Sequence, residues 1–92
     1  MFVLGKFKLG VVHVTPGIVD KIHEDDQVMA LRRHHMGDWG DVSVEDQAAN
    51  NEALLTRERL FSKYKTAAGV VFWIITEADR SYTTLLLPSE NY

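Results

Sequence analysis

Alternating and clustered apolar positions divide the chain into a strand, a helical middle and a strand-rich end. Residues 7 to 14, Phe-Lys-Leu-Gly-Val-Val-His-Val, are β-branched and aromatic enough to predict a first strand. Thr15-Pro16-Gly17 stops it, and a proline just inside a helix start suits a short helix over about 16–23, capped by Thr15. Ile18, Val19 and Ile22 form its apolar side. Asp25 or Asp26 is expected to cap a second helix running to about His35, with Val28, Leu31 and His35 on one face. On that face His35 is the semi-buried ring and His34 the freer one. Gly37 ends this helix, and a loop follows to Val42. Ser43-Val44-Glu45-Asp46 has the spacing of a capping box and opens a third helix to about Leu55. Its stripe of Val44, Ala48, Asn51 and Leu55 is thin, which makes it peripheral.

From Arg59 the periodicity changes to that of strands, over 59–65, 70–76 and 82–87, with connections of hairpin length. The predicted class is therefore α+β in the order β-α-α-α-β-β-β: an antiparallel meander plus an N-terminal strand, with helices on one face. Residues 70–75 are apolar on both faces. Helices on one side would leave the other uncovered, so a homodimer is expected there, with the N-terminal residues folding across as the alternative.

Ninety-two residues suffice for one domain, 1–92, and no internal repeat or linker breaks it. The chain has no cysteine, which excludes disulfides, thiolate metal sites and cysteine nucleophiles. Val70–Ile75 is too short to cross a bilayer, and the N-terminus lacks a signal-peptide pattern, so a cytoplasmic location and no membrane partner are expected. Net charge is −3, which speaks mildly against a protein held to nucleic acid mainly through phosphates. There is no HExxH, paired HxH, EF-hand, phosphate-cradling glycine loop or nucleophile elbow, and the expected cofactor is none.

Two segments concentrate the candidate chemistry. In Arg33-His34-His35-Met36-Gly37-Asp38-Trp39-Gly40, a histidine beside an aspartate makes an acid–base or orienting pair, and Trp39 a stacking plate. The structural alternative makes Gly37 a helix stop, Trp39 a core anchor and Asp38 a turn residue. In Thr76-Glu77-Ala78-Asp79-Arg80-Ser81, Glu77 is a candidate base and Arg80 a candidate phosphate or carboxylate clamp. The alternative is a hairpin turn with an Asp79–Arg80 surface pair. A third feature is Arg57, Arg59, Lys63 and Lys65 interleaved with Phe61, which fits a nucleic-acid strip or a protected edge strand.

Gly10-Val11-Val12 before Thr15-Pro16-Gly17, then Arg33-His34, Gly37-Asp38-Trp39-Gly40, Trp73-Ile74-Ile75-Thr76-Glu77-Ala78-Asp79-Arg80-Ser81, Thr83-Thr84 and Leu87-Pro88 together resemble a small bacterial family. Its members are borne on plasmids and genomic islands and labelled plasmid-related proteins. The resemblance spans nearly the whole chain and implies a prokaryotic, mobile-element setting without an established activity. The family's arginine–histidine pair falls on Arg33 and His34.

Two functions follow as expectations. One is an accessory or regulatory binding protein that contacts a protein or RNA through the two polar segments, with Asp38, Trp39, Asp79, Ser81, Arg59 and Lys63 as binding residues. The alternative is a metal-independent endoribonuclease, similar in element order to RelE-type and barnase-like nucleases, with His34, Glu77 and Arg80 as base, acid and phosphate-stabilising cation.

Overall fold

A computed structural model describes residues 5–90 of the chain. Its elements are β1 (Val11–Val14), α1 (Pro16–Lys21), α2 (Glu24–His35), α3 (Val44–Thr56), β2 (Leu60–Lys65), β3 (Val71–Thr76), β4 (Tyr82–Leu86) and a 3-10 turn at Pro88–Glu90. The order and the α+β class are those expected from the sequence. The strands form one sheet in the order β1-β4-β3-β2. β2, β3 and β4 make the antiparallel meander, and β1 joins β4 in parallel, so the sheet is mixed.

Several boundaries differ from the predicted ones for local reasons. Residues 7–10 are not strand. Gly10 turns there with φ +68, and a Cβ at that position would meet the Ser81 carbonyl. α2 starts at Glu24, and its cap is His23, whose Nδ1 accepts from the Asp25 amide at 3.1 Å. Thr15 does not cap α1 through its own side chain. Its hydroxyl instead donates to Glu90 Oε1 at 2.6 Å, and the Gly17 amide donates to Glu90 Oε2 at 2.8 Å. A carboxylate from the far end of the fold thus does the capping, and these contacts hold its pKa below the usual range, led by the Thr15 bond. Ser43 does cap α3, accepting from the Asp46 amide at 3.0 Å.

The main core lies between α1, α2 and one sheet face. Ile18, Ile22 and Ala30 pack there on Tyr64, Phe72, Ile74 and Leu85. A second cluster, Trp39, Ala53 and Leu60, seats α3 at the β2 side of the sheet. α3 does not present the expected stripe: Val44 and Leu55 are exposed, and Asn50 and Ala53 are the buried positions.

The opposite sheet face carries Phe61, Lys63 and Lys65 of β2 and Val71, Trp73 and Ile75 of β3. Tyr82, Thr84 and Leu86 of β4 and Val11 and His13 of β1 complete it. Thr84 and Leu86 are buried, whereas Phe61, Lys63, Val71, Trp73 and Ile75 are half-buried. Of the N-terminal residues expected as the alternative cover, the first four lie outside the described residues.

Candidate functional site

The two polar segments meet around Phe7. Its ring lies edge-on to His34 at 5.2 Å and to His35 at 5.5 Å, and stacks on Trp39 at 6.2 Å. The Arg80 guanidinium sits 5.9 Å from the same ring. The convergence is an interior one. His34, Trp39 and Arg80 are 0%, 2% and 5% exposed, so the meeting point is a packed core and not a cleft.

His34 is therefore the sequestered ring of the pair, contrary to the helical-face expectation. His35 is half-buried and bonds the Phe7 carbonyl through Nε2 at 2.8 Å. His34 Nδ1 is 2.5 Å from Ser62 Oγ, and Nε2 is 2.8 Å from Thr76 Oγ1. Thr76 Oγ1 in turn lies 2.7 Å from Thr83 Oγ1, which donates to the Leu9 carbonyl at 2.7 Å.

The proton order along this row follows by accounting. A carbonyl only accepts, so Thr83 spends its one proton on Leu9, and Thr76 must donate to Thr83. Thr76 then has no proton left for His34, so Nε2 carries the imidazole hydrogen. Burial, with His35 and Arg80 adding to it, pushes the His34 pKa down to about 3, and the ring is neutral. Nδ1 is then an acceptor for the Ser62 hydroxyl. Every valence of the imidazole is committed, and a general acid or base needs a free one that faces substrate.

Arg80 is committed in the same way. Nη1 donates to the carbonyls of Glu58 at 2.7 Å, Glu77 at 3.1 Å and Ala78 at 3.3 Å, and Nη2 to Ala53 at 3.0 Å. The residue sits at φ 61, a left-handed position that a side chain occupies only at some strain. The guanidinium gathers carbonyls at the C-terminal end of α3 and in the β3–β4 turn, where a positive charge is favoured, and those of Ala53 and Glu77 also accept the Arg57 and Arg80 amides. It is a clamp on backbone and presents no fork to a phosphate. The expected Asp79–Arg80 pair is absent from the described ion pairs. Asp79 accepts from the Ser81 amide at 2.9 Å, and contacts with Ser81 lower its pKa. Glu77 is half-buried and lies 3.5 Å from Arg59.

The Gly37–Gly40 loop also builds the fold at each position. Gly37, at φ 83, closes α2, with its own amide on the His34 carbonyl and the Asp38 amide on that of Arg33. Asp38 takes a two-pronged contact from Arg33 at 2.7 and 3.1 Å, which lowers the aspartate pKa and raises that of the arginine. Arg33 lies over the Tyr64 ring at 4.8 Å, and the Tyr64 hydroxyl donates to the Asp38 carbonyl at 2.6 Å. Burial pushes that phenol up to about 12. Trp39 donates to Asn51 Oδ1 at 3.0 Å. Gly40 runs against β2 so closely that a Cβ would lie 2.1 Å from the Lys63 carbonyl.

The loop's backbone completes β2. The Lys63 amide donates to the Trp39 carbonyl at 3.1 Å, and the Asp41 amide to the Lys63 carbonyl at 2.7 Å. Two residues earlier in β2, Asn50 imitates a neighbouring strand: Nδ2 donates to the Phe61 carbonyl at 2.6 Å, and Oδ1 accepts the Phe61 amide at 3.0 Å. Sequence reasoning missed Phe7, Asn50, Ser62 and Glu90. For Asn50 a signal exists, since two adjacent asparagines in a helix interior are poor helix formers and call for another purpose.

Of the residues expected to bind or react, Asp38, Asp79, Ser81 and Arg59 are exposed, Lys63 and Glu77 are half-buried, and His34, Trp39 and Arg80 are inside. No group of three or more histidines and acids is placed to hold a metal among the described residues. Among those residues, too, no helix is long and apolar enough to cross a membrane. Comparison with family models, curated proteins and solved structures gave no match.

Proposed function

We propose that this chain is a non-catalytic accessory or regulatory binding protein of a bacterial mobile element, in keeping with the resemblance of its sequence to plasmid-related proteins. One observation carries the non-catalytic part. The imidazole best suited to proton transfer is fully buried, with both nitrogens bonded to Ser62 and Thr76. The endoribonuclease alternative requires that ring, Glu77 and Arg80 to face a ribose and a phosphate together. Arg80 instead faces four carbonyls, and the Glu77 carboxylate faces Arg59.

Contacts through the two polar segments reduce to the exposed Asp79, Ser81 and the Arg33–Asp38 pair. The sheet offers a better binding surface. On its outer face Lys63 lies in register with Trp73 and Lys65 with Val71, while Phe61 meets Trp73 edge to face at 5.3 Å. Aromatic faces with flanking lysines suit a single-stranded nucleic acid, and they favour RNA as the partner over a strongly acidic protein.

The test has two arms, both on the intact chain. Labelled single-stranded RNA incubated in EDTA should stay uncut, and cleavage by the wild type would overturn the non-catalytic reading. In fluorescence anisotropy the same RNA should bind with a salt-dependent affinity that Lys63→Glu with Lys65→Glu reduces. Absence of binding removes RNA and leaves a protein as the partner.

A further inference from the structure

Among the described residues, β1 is an edge paired only with β4. The Val11 amide bonds the Ser81 carbonyl at 3.0 Å and the Thr15 amide the Leu85 carbonyl at 3.1 Å, so the odd positions address β4. In a parallel ladder the alternate residues turn the other way, which leaves the N–H and C=O groups of Val12 and Val14 on the free side. They have no backbone partner among the described residues. Val11–Val14 contains no lysine, proline or bulge, the usual devices against strand addition. Beside this edge, Val12, Val14, Gln27, Val28, Leu31 and Leu85 line an apolar groove between β1 and α2. Val12, Val14 and Val28 are each more than two-fifths exposed.

We infer that a second copy of this chain occupies this edge, pairing β1 antiparallel to β1 about a twofold axis at His13. This goes beyond the binding role proposed above and does not depend on it. An antiparallel register centred on His13 sets Val12 of each copy opposite Val14 of the other. Each such pairing exchanges both N–H···O bonds, and these are the groups left open. Two four-stranded sheets become one continuous sheet.

The charges of α2 fix the occupant and its direction. Val12 and Val14 both line the groove with Gln27, Val28 and Leu31, and Val14 alone also lies beside Ile22, His23 and Glu24 at the start of α2. Its first turn holds Glu24 and Asp25 and its last holds Arg32, while Asp26 and Arg33 lie toward Tyr64 on the β2 side. The twofold therefore sets the acidic end of each α2 toward the basic end of the other across the groove, whereas a parallel pairing would set like against like. An isologous interface requires this kind of self-complementarity.

The absence of cysteine gives a clean test. Facing residues at a non-hydrogen-bonded antiparallel position have Cα atoms about 4.5 Å apart, within disulfide reach. His13→Cys should therefore form a covalent dimer under mild oxidation much faster than Val19→Cys, which is also exposed but lies on α1. Sedimentation velocity of the wild type should show a concentration-dependent dimer. Val12→Pro removes an outward N–H and leaves the β1–β4 bonds in place, as an edge strand tolerates. By symmetry that N–H counts twice, so association should weaken roughly thirtyfold with an unchanged far-ultraviolet spectrum.

A wild type that stays monomeric at high concentration overturns the inference and leaves the edge to a foreign strand or to the chain's first residues. So does a dimer indifferent to Val12→Pro, or a His13→Cys variant that cross-links no faster than Val19→Cys.

Discussion

The two edges of the sheet are finished in opposite ways. At β2 the outward backbone groups of Phe61 are met by the Asn50 amide, and those of Lys63 by the Trp39–Asp41 backbone. At β1 the outward groups of Val12 and Val14 meet no described backbone, and the strand is exposed along its length. The polar segment that looks most like an active site in the sequence is thus the device that closes one edge. The plain valine run is the part left available. Conspicuous polar chemistry in a small domain can be the cost of closing a sheet, and an unremarkable apolar strand can be the functional surface.

The strongest way to break this contrast is to remove the closing anchor. Trp39→Ala takes away the ring between Phe7, His34 and Asn51 and should cost about 4 kcal/mol, read as a lower urea midpoint. A loss below about 1 kcal/mol would mean that the loop does not hold the edge.

Next comes pH. The folded His34 pKa, about 3, lies below its unfolded value of 6.5, so between those values the unfolded chain binds the extra proton. Stability is then fully present above 6.5 and falls as pH drops toward 3, by a few kcal/mol in all. Thermal melts from pH 7 to 4.5 should show the decline before most carboxylates titrate, and His34→Gln should flatten it. An unchanged slope in that variant would assign the acid sensitivity elsewhere.

Asn50→Ala sharpens the comparison directly, because it reopens the Phe61 position and makes β2 resemble β1. A loss of about 2 kcal/mol is expected, with new self-association visible by light scattering. The smallest effect belongs to Thr84, whose buried Oγ1 has no hydrogen-bond partner among the described residues. Thr84→Val should change stability by no more than about 0.5 kcal/mol, and a clear loss would reveal a partner for that hydroxyl.

The element order was legible because strand composition and stop signals are local. Gly37 ends α2 and Ser43 caps α3 as read. What the sequence hid was orientation. The Val28–Leu31–His35 face is the one that apolar character predicts, yet α2 buries Ala30 and His34, one helical position away. Alanine is too small and histidine too polar to dominate a periodicity, although Ala30 packs into the apolar core and His34 meets a row of hydroxyls on the sheet. α3 misled for a similar reason: its useful face is a hydrogen-bonding asparagine beside a small alanine, while Val44 and Leu55 point outward. The Ser62–His34–Thr76–Thr83 row needs the strand register to bring its members together, and no local pattern contains that. Likewise the convergence of both polar segments on Phe7 was open to the sequence only as a question.

The bond from Glu90 to Thr15 and Gly17 also sets a timetable for folding during synthesis. It joins positions 75 and 73 residues apart, and β1 must wait nearly as long for β4. On the ribosome, the first strand and helix emerge several seconds before their partners exist, at ordinary rates of elongation. During that interval the valines of β1 lack even β4 and can meet the same strand on a neighbouring nascent chain. Such long-range closure slows folding, so the step that completes the monomer competes in time with premature pairing between copies.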